Sequence, residues 1–434
     1  MLNRLVDKKS PFYLFNLNFN KKYRWFLLSL SCNLVIHLIL GLVYYNPVDF
    51  VLQFEAAKKI AQGKLLYRDI GKFMTDSVEL PRPQYPPLYL YTLGLLIAII
   101  GVDVFTWQTA KLFLIIVNLI VGILIYLIIK DYLQSHPKGN LLALTAMNWF
   151  LLNPSTLGVI FGGYHENFMI FFVLLGFILL RNNNNCKSGL FFGFALLVKP
   201  IAGIYMLPIL VWGVHMREIK SIIPWAITGI TFLLGSLPFL LLAPVEYLSD
   251  VFLIHVERPD PSMSLYTYFL QDLSATLIPF IIQLVFIGLY LIFLIIKVPV
   301  TKSRTLIEAV LPFMTIFMAF NRILYPHYIP FFFPFFTISL FFLIADYSSP
   351  EEQKKSNLFP GMLIVGLFFV YLGYGFWSIL WSIEGYETYL SNPFFPISAI
   401  ISIVGLIIIS FTSLLYLNYR SEKKDEIFDQ IELI

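Results

Sequence analysis

The chain has 434 residues, 58% hydrophobic and only 13% charged. Soluble domains carry about 25% charged residues, so the composition excludes a soluble core with an anchor and indicates a polytopic membrane protein. The net charge of +4 says little by itself, no nucleic-acid partner is expected, and Cys32 and Cys186 imply neither a disulfide framework nor a cysteine metal site.

Residues 1–24 carry Arg4, Lys8, Lys9, Lys21, Lys22 and Arg24 ahead of the first apolar run, which places them in the cytoplasm. That run, Trp25 to Tyr45, is long and is followed by no small-residue cleavage site, so it reads as a span and not as a signal peptide.

A polar loop, 46–106, comes next. Asp49 opens a helical pattern in which Phe50, Phe54, Ala57 and Ala61 share a face, with Gly63 as a stop. The pattern suits a helix on the membrane surface with its aromatic face in lipid and Asp49 at its N-cap. From the residues alone, a cap and a functional carboxylate are both open for Asp49. The loop continues through Tyr67 to Pro81-Arg82-Pro83-Gln84-Tyr85-Pro86-Pro87, whose prolines hold the backbone extended or turning. Leu88 to Gly101 is apolar but shorter than the roughly 20 residues a span needs. It is therefore kept on the outer face as an interfacial helix; counting it as a span would put every downstream basic turn outside.

Further spans are expected near 107–129, 140–161, 167–180, 222–243, 275–296, 305–320, 328–345, 358–381 and 394–418. Segment 188–214 carries Lys199-Pro200 at its centre and basic residues at both flanks, so it divides into two short helices with Lys199 at an outer apex. About 12 transmembrane helices result, in an all-α membrane domain spanning 25–418. A charged tail, 419–434, and the N-terminus both lie in the cytoplasm. Each expected cytoplasmic turn is basic, for example Lys130 and Lys138, Arg217 and Lys220, or Lys354 and Lys355. The outer turns 162–166 and 382–393 contain no Lys or Arg, and the remaining short outer sites carry the isolated cations Lys199, Arg258 and Arg322; the long outer loop 46–106 also has several, but long loops largely escape the rule.

The order Asp49-Phe50, an amphipathic helix, Gly63, Tyr67, Tyr85-Pro86-Pro87-Leu88 and an interfacial helix resembles the first extracytoplasmic loop of GT-C superfamily glycosyltransferases. It looks most like the polyprenyl-phosphate-mannose-dependent mannosyltransferases of family 87. The aminoarabinose transferases of lipid A and the protein O-mannosyltransferases are more distant relatives. The resemblance implies that Asp49 is the catalytic base and Tyr85 a substrate-binding residue. Many relatives have an Asp-x-Asp or Asp-Glu pair nearby, sometimes with a divalent metal; this loop has no Asp-x-Asp, so no metal ligand is assigned and no cofactor is expected with certainty.

Four other outer elements bear on function. The turn Gly162-Gly163-Tyr164-His165-Glu166-Asn167 packs His, Glu and Asn together and resembles the superfamily's Gly-x-x-Asp/Glu turn, which implies sugar or acceptor binding by His165 and Glu166; a plain loop is the alternative. A lysine within apolar sequence costs about 2.5–3.5 kcal/mol on insertion scales, so Lys199 either faces a phosphate or snorkels to the surface. Residues His255, Glu257, Arg258, Ser262 and Ser264 form a stretch that is either a solvated loop or, by resemblance, a donor loop containing Arg258. Arg322, His327 and Tyr328 precede Pro330, and guanidinium, imidazole and phenol donors suit a phosphate.

The expected activity is transfer of a hexose, mannose-like by default, from a polyprenyl-phosphate sugar to a lipid-linked or glycan acceptor at the extracytoplasmic face of the plasma membrane, with inversion and in contact with membrane lipid. Lys199, Arg258, Arg322 and His327 would stabilise the departing phosphate. A transporter or flippase is the competing class, since about 12 spans suit one; no repeated halves are visible. A non-catalytic scaffold leaves the one-sided cations unexplained.

Overall fold

The structure, a computed structural model, describes residues 24–43, 48–69, 73–74, 79–80, 86–217, 219–253, 263–269, 278–300, 302–321, 324–347, 358–384 and 392–432. They divide into two compact units. The first comprises Met1–Gly203 with Ile222–Ile254, the second Ile204–Ser221 with His255–Ile434.

In the first unit the helices are α1 (Arg24–Gly41), α2 (Val48–Ala61), α3 (Pro87–Ile100), α4 (Trp107–Tyr132), α5 (Gly139–Leu151), α6 (Pro154–Gly162), α7 (Glu166–Arg181), α8 (Asn185–Val198), α10 (Ile222–Leu242) and α11 (Pro244–Leu248). A π turn, Ser249–Leu253, follows α11, and Phe73–Met74 pairs with Glu79–Leu80 as a two-residue antiparallel ladder. The 3-10 turn Pro200–Met206 leads into α9 (Leu207–Met216). The second unit continues with α12 (Leu265–Phe269), α13 (Ile278–Lys297), α14 (Ser303–Ala319), α15 (Ile329–Asp346), α16 (Leu358–Glu384) and α17 (Phe394–Glu432).

Among the described residues, α1, α4, α10, α13, α15, α16 and α17 are long and apolar enough to cross a membrane. Shorter helical rods stand at the other expected positions: α5 with α6, α7, α8, the 200–216 segment and α14. The chain is a multi-pass membrane protein. The sequence places one unbroken span at 140–161, and here the structure differs. The helix stops at Leu151 and restarts at Pro154, because proline lacks the donor and collides with the carbonyl four residues back. Asn153 caps the restart, its side chain accepting from the Ser155 N–H at 3.0 Å.

Lipid tails are as apolar as leucine, so helices in a bilayer associate through close packing and interhelical polar bonds. Both devices are present in the first unit. Gly189 and Gly193 on α8 face Pro224, Ile227, Thr228 and Thr231 of α10 so closely that a Cβ at either would clash, and the Thr228 hydroxyl donates to the Gly189 carbonyl at 2.9 Å. α1 presents Ser29, Asn33 and His37 along one stripe. Ser29 donates to Asn148 at 2.5 Å, and Asn33 to the same Asn148 oxygen at 2.7 Å.

The second unit is centred on α15, of which 89% of an 18-residue window is buried. One end is closed by a charge network. Arg304 on α14 donates to both Asp346 oxygens at 3.0 and 2.8 Å and to Glu308 at 3.0 Å. Arg420 on α17 takes the other Glu308 oxygen, and Tyr416 donates to Asp346 at 2.5 Å. His215 on α9 has its tautomer set by two bonds: it donates to the Ile295 carbonyl at 3.0 Å and accepts from the Val300 N–H at 3.2 Å.

Candidate active site

The site in the first unit is built around the turn between α6 and α7. α6 ends in a left-handed Gly163, φ +68°, a conformation that favours glycine. The Tyr164 N–H then reaches back to the Val159 carbonyl at 2.9 Å, which closes the helix end. A Cβ on Gly163 would also strike the Phe50 ring. Glycine is thus required twice, by the backbone angle and by the close approach of α2.

That approach corrects the sequence reading of α2. Its aromatic face is not in lipid: Phe50 (1% exposed), Phe54 and Ala57 are buried in the unit, and Phe54 stacks between Phe50 and Phe105. The helix begins at Val48, so Asp49 stands inside the first turn and not at the cap. Asp49 is described as backbone only; its side chain lies outside the described residues.

Beyond Gly163 the turn delivers three polar residues to three neighbours. The buried His165 ring stacks on Tyr89 of α3 with centroids 4.4 Å apart and planes 9° from parallel. Glu166 accepts from the Lys199 ammonium at 2.6 Å, and both side chains are buried. Asn167 donates to Asn118 of α4 at 2.5 Å. The expected apex at Lys199 is present: α8 ends at Val198, Lys199 is extended, and a 3-10 turn starts at Pro200. The lysine does not snorkel; it ends on a buried carboxylate. Breaking such a pair by removing one partner costs about 3–5 kcal/mol.

Some side chains at this turn went unnoticed in the sequence. Lys111, one helical turn into α4, is fully buried. Its ammonium donates to the Phe161 carbonyl at 2.8 Å and lies 5.5 Å from the Phe50 ring centroid and 5.2 Å from that of Trp107. Phe161 is in the last turn of α6, where carbonyls lack helical partners and a cation suits the dipole. The signal was available, since Lys111 interrupts an apolar span. Tyr89, His37 and Asn118 carried a weaker one, because aromatic and small polar residues are ordinary in membrane helices.

Other expected residues do not join this turn. Tyr67 sits at φ +70°, packed edge-on against Phe239 and Tyr247 at 5.3 and 5.0 Å. Burial, then the neighbouring Tyr247 and Asp250, push its phenol well above the usual value. His327 and Tyr328 belong to the second unit, where the His327 ring packs against Tyr325 (5.3 Å, near-parallel) and Tyr328 (4.8 Å, edge-on) in a three-ring cluster. Tyr85, Arg258 and Arg322, together with His255, Glu257 and Ser262, lie outside the described residues. Among the described residues, no three His, Cys, Asp or Glu side chains are grouped to hold a metal ion.

No family model and no curated protein sequence matches the chain. Among solved structures it is similar to the crystal structure of ArnT from Cupriavidus metallidurans bound to undecaprenyl phosphate. The identity is 14% and the TM-score 0.51, covering 92% of this chain and 78% of that one. ArnT is a GT-C glycosyltransferase, and the likeness shows that this chain has a GT-C-like polytopic membrane fold.

Proposed function

We propose that the protein is an integral-membrane glycosyltransferase that takes a hexose, mannose-like, from a polyprenyl-phosphate donor and delivers it to a hydroxyl of a lipid-linked or glycan acceptor at the extracytoplasmic face. The observation that carries this reading is the packing of Phe50 into the Gly163 turn, because it ties the helix bearing Asp49 to the buried His165–Glu166–Lys199 group. A GT-C-like fold supports the class, and the undecaprenyl phosphate bound to ArnT supports the donor lipid.

The acceptor oxygen attacks the anomeric carbon from the side opposite the phosphate. The new C–O bond forms as the bond from the anomeric carbon to the phosphate oxygen breaks, the electron pair leaves with the phosphate, and configuration inverts. Asp49 takes the hydroxyl proton, a role that requires a carboxylate within hydrogen-bond reach and contributes about 10²–10⁴-fold. Negative charge grows on the leaving phosphate, and pre-placed cations stabilise it most effectively in a dry site. Lys199 fills that role in this reading, and Lys111, beside Phe50, adds positive potential next to the base-bearing turn.

The test uses membranes containing the full-length protein and a panel of radiolabelled polyprenyl-phosphate sugars. Label should move from one donor in the wild type and stop moving in Asp49→Asn expressed at the same level. Transfer at the wild-type rate in that variant would remove the base assignment; no transfer from any donor in the wild type would remove the reading altogether.

A further inference from the structure

A buried hydrogen-bond chain runs from α1 through α4 to the start of α7. His37 Nδ1 is 2.7 Å from the Asn33 carbonyl, Asn118 Nδ2 is 2.7 Å from His37 Nε2, and Asn167 Nδ2 is 2.5 Å from Asn118 Oδ1. His37 and Asn118 are fully buried and Asn167 is 3% exposed. Each link fixes the next. A carbonyl can only accept, so the His37 proton is on Nδ1 and Nε2 carries a lone pair. The Asn118 group facing Nε2 is then the NH2, which turns Asn118 Oδ1 toward α7. Asn167 must meet that oxygen with its own NH2, which leaves Asn167 Oδ1 as a buried acceptor.

That oxygen has no hydrogen-bond partner among the described residues. Leaving a buried acceptor unpaired is costly, and such atoms in native structures call for an explanation. Asn167 adjoins Glu166 in the first turn of α7, on the turn that touches the Asp49 helix. Two more buried atoms on this turn and its neighbour lack partners among the described residues: Glu166 Oε2 and the Tyr89 hydroxyl. A phosphate oxygen cannot pair with the Asn167 or Glu166 oxygens, because all of these are acceptors. A sugar hydroxyl can.

We infer that Asn167 Oδ1 receives a hydroxyl of the transferred sugar, and that His37 and Asn118 are positioning residues that hold the amide so that its NH2 is used by Asn118 and its oxygen is kept for that hydroxyl. This rests on the glycosyltransferase reading and adds to it a sugar-reading residue and the mechanism that orients it.

The experiment gives membranes carrying the full-length protein the polyprenyl-phosphate sugar they transfer, and its monodeoxy analogues. Losing one hydrogen bond predicts that wild type uses one analogue about tenfold less well in kcat/KM. With Asn167→Ala the intact donor should fall by a similar factor, while that same analogue suffers no further loss, as a double-mutant cycle requires of an interacting pair. His37→Leu frees both amides to turn over and should flatten the discrimination; His37→Gln restores an acceptor to Asn118 and should retain it. If Asn167→Ala depresses every donor equally, the residue is merely structural and the inference is overturned. If that variant does not accumulate, the two His37 variants decide, and equal discrimination in both overturns it. A wild type that transfers from no polyprenyl-phosphate sugar removes the functional reading and this inference together.

Discussion

The molecule builds two charge clusters around a buried glutamate, Glu308 in one and Glu166 in the other, and they follow opposite plans. In the second unit Arg304, Glu308, Asp346, Arg420 and Tyr416 use one another completely: each carboxylate oxygen there accepts from a cation or a phenol. In the first unit Glu166 gives one oxygen to Lys199 and keeps the other unused, and Asn167 and Tyr89 each retain an unpaired polar atom among the described residues. A network closed on itself staples helices. A network with atoms left over holds a high-energy surface in readiness for a ligand. A buried glutamate, common to both, does not separate the two roles; what differs is whether both of its oxygens are used.

The comparison can be broken most decisively at Asp49. Asp49→Asn should lower sugar transfer by about 10²–10⁴-fold with no change in the unfolding midpoint. A matched loss of stability would make Asp49 structural. Glu308→Gln should do the reverse. It leaves Arg304 and Arg420 with less compensation and should cost about 3–5 kcal/mol of stability, while the protein that survives extraction turns over normally. Reduced kcat in folded Glu308→Gln would erase the distinction between the clusters.

The Lys199–Glu166 pair sharpens the comparison by giving both effects at once. Lys199→Met and Glu166→Gln singly should each destabilise by about 3–5 kcal/mol, because the remaining group is stranded. The double variant should recover much of that stability and remain inactive. Additive thermal losses would mean that the two side chains do not interact. Smaller effects belong to the α1 stripe, where Asn33→Leu should cost about 0.6–2 kcal/mol, read by resistance to detergent unfolding. A null result there would show that packing alone seats α1.

The smallest effect lies in a solvent-facing pair that calibrates the buried ones. Hydrogen bonds from the Arg68 side chain, then from the Leu65 N–H, hold the Asp69 carboxyl at about 2. A lowered pKa stabilises the fold fully above the ordinary carboxylate value, and the contribution fades as pH falls through about 2. The protection factor of the Leu65 amide, its exchange rate compared with a free amide at the same pH, should therefore fall at the acid end of a pH 5 to 2 series. Unchanged protection across that range would show that the carboxylate does not hold the turn.

Much of the fold was legible because a bilayer imposes long apolar runs, and basic residues mark the turns between them. The break at Lys199-Pro200 was visible for the same reason: a charge and a proline in apolar sequence have few other uses. The break at Asn153-Pro154 was not drawn from an equally plain proline, because the apolar runs on its two sides add up to one span. The α2 error had a different origin. An aromatic stripe reads alike whether it meets lipid or protein, and only the contact of Phe50 with Gly163 tells them apart. Within the site, His165, Glu166 and Lys199 stood out as charges at a membrane edge. Their partners Tyr89, Asn118 and His37 come from distant helices, and no local pattern announces a contact between residues 37 and 118.

The α1 stripe also bears on how the chain is made. With Arg24 at its start, Ser29, Asn33 and His37 give α1 the lowest mean hydropathy of the seven long apolar helices among the described residues, 1.5 against 1.9 to 3.1. Its hydrogen-bond partners Asn118 and Asn148 lie 81 and 115 to 119 residues downstream. When this segment leaves the ribosome, those partners do not yet exist. It enters the bilayer as a reluctant guest with its polar side chains unanswered, and it docks only after α4 and α5 have been synthesised. The first described helix can therefore complete its polar contacts only once α4 and α5 have followed it, and the groups that orient Asn167 are among those that wait.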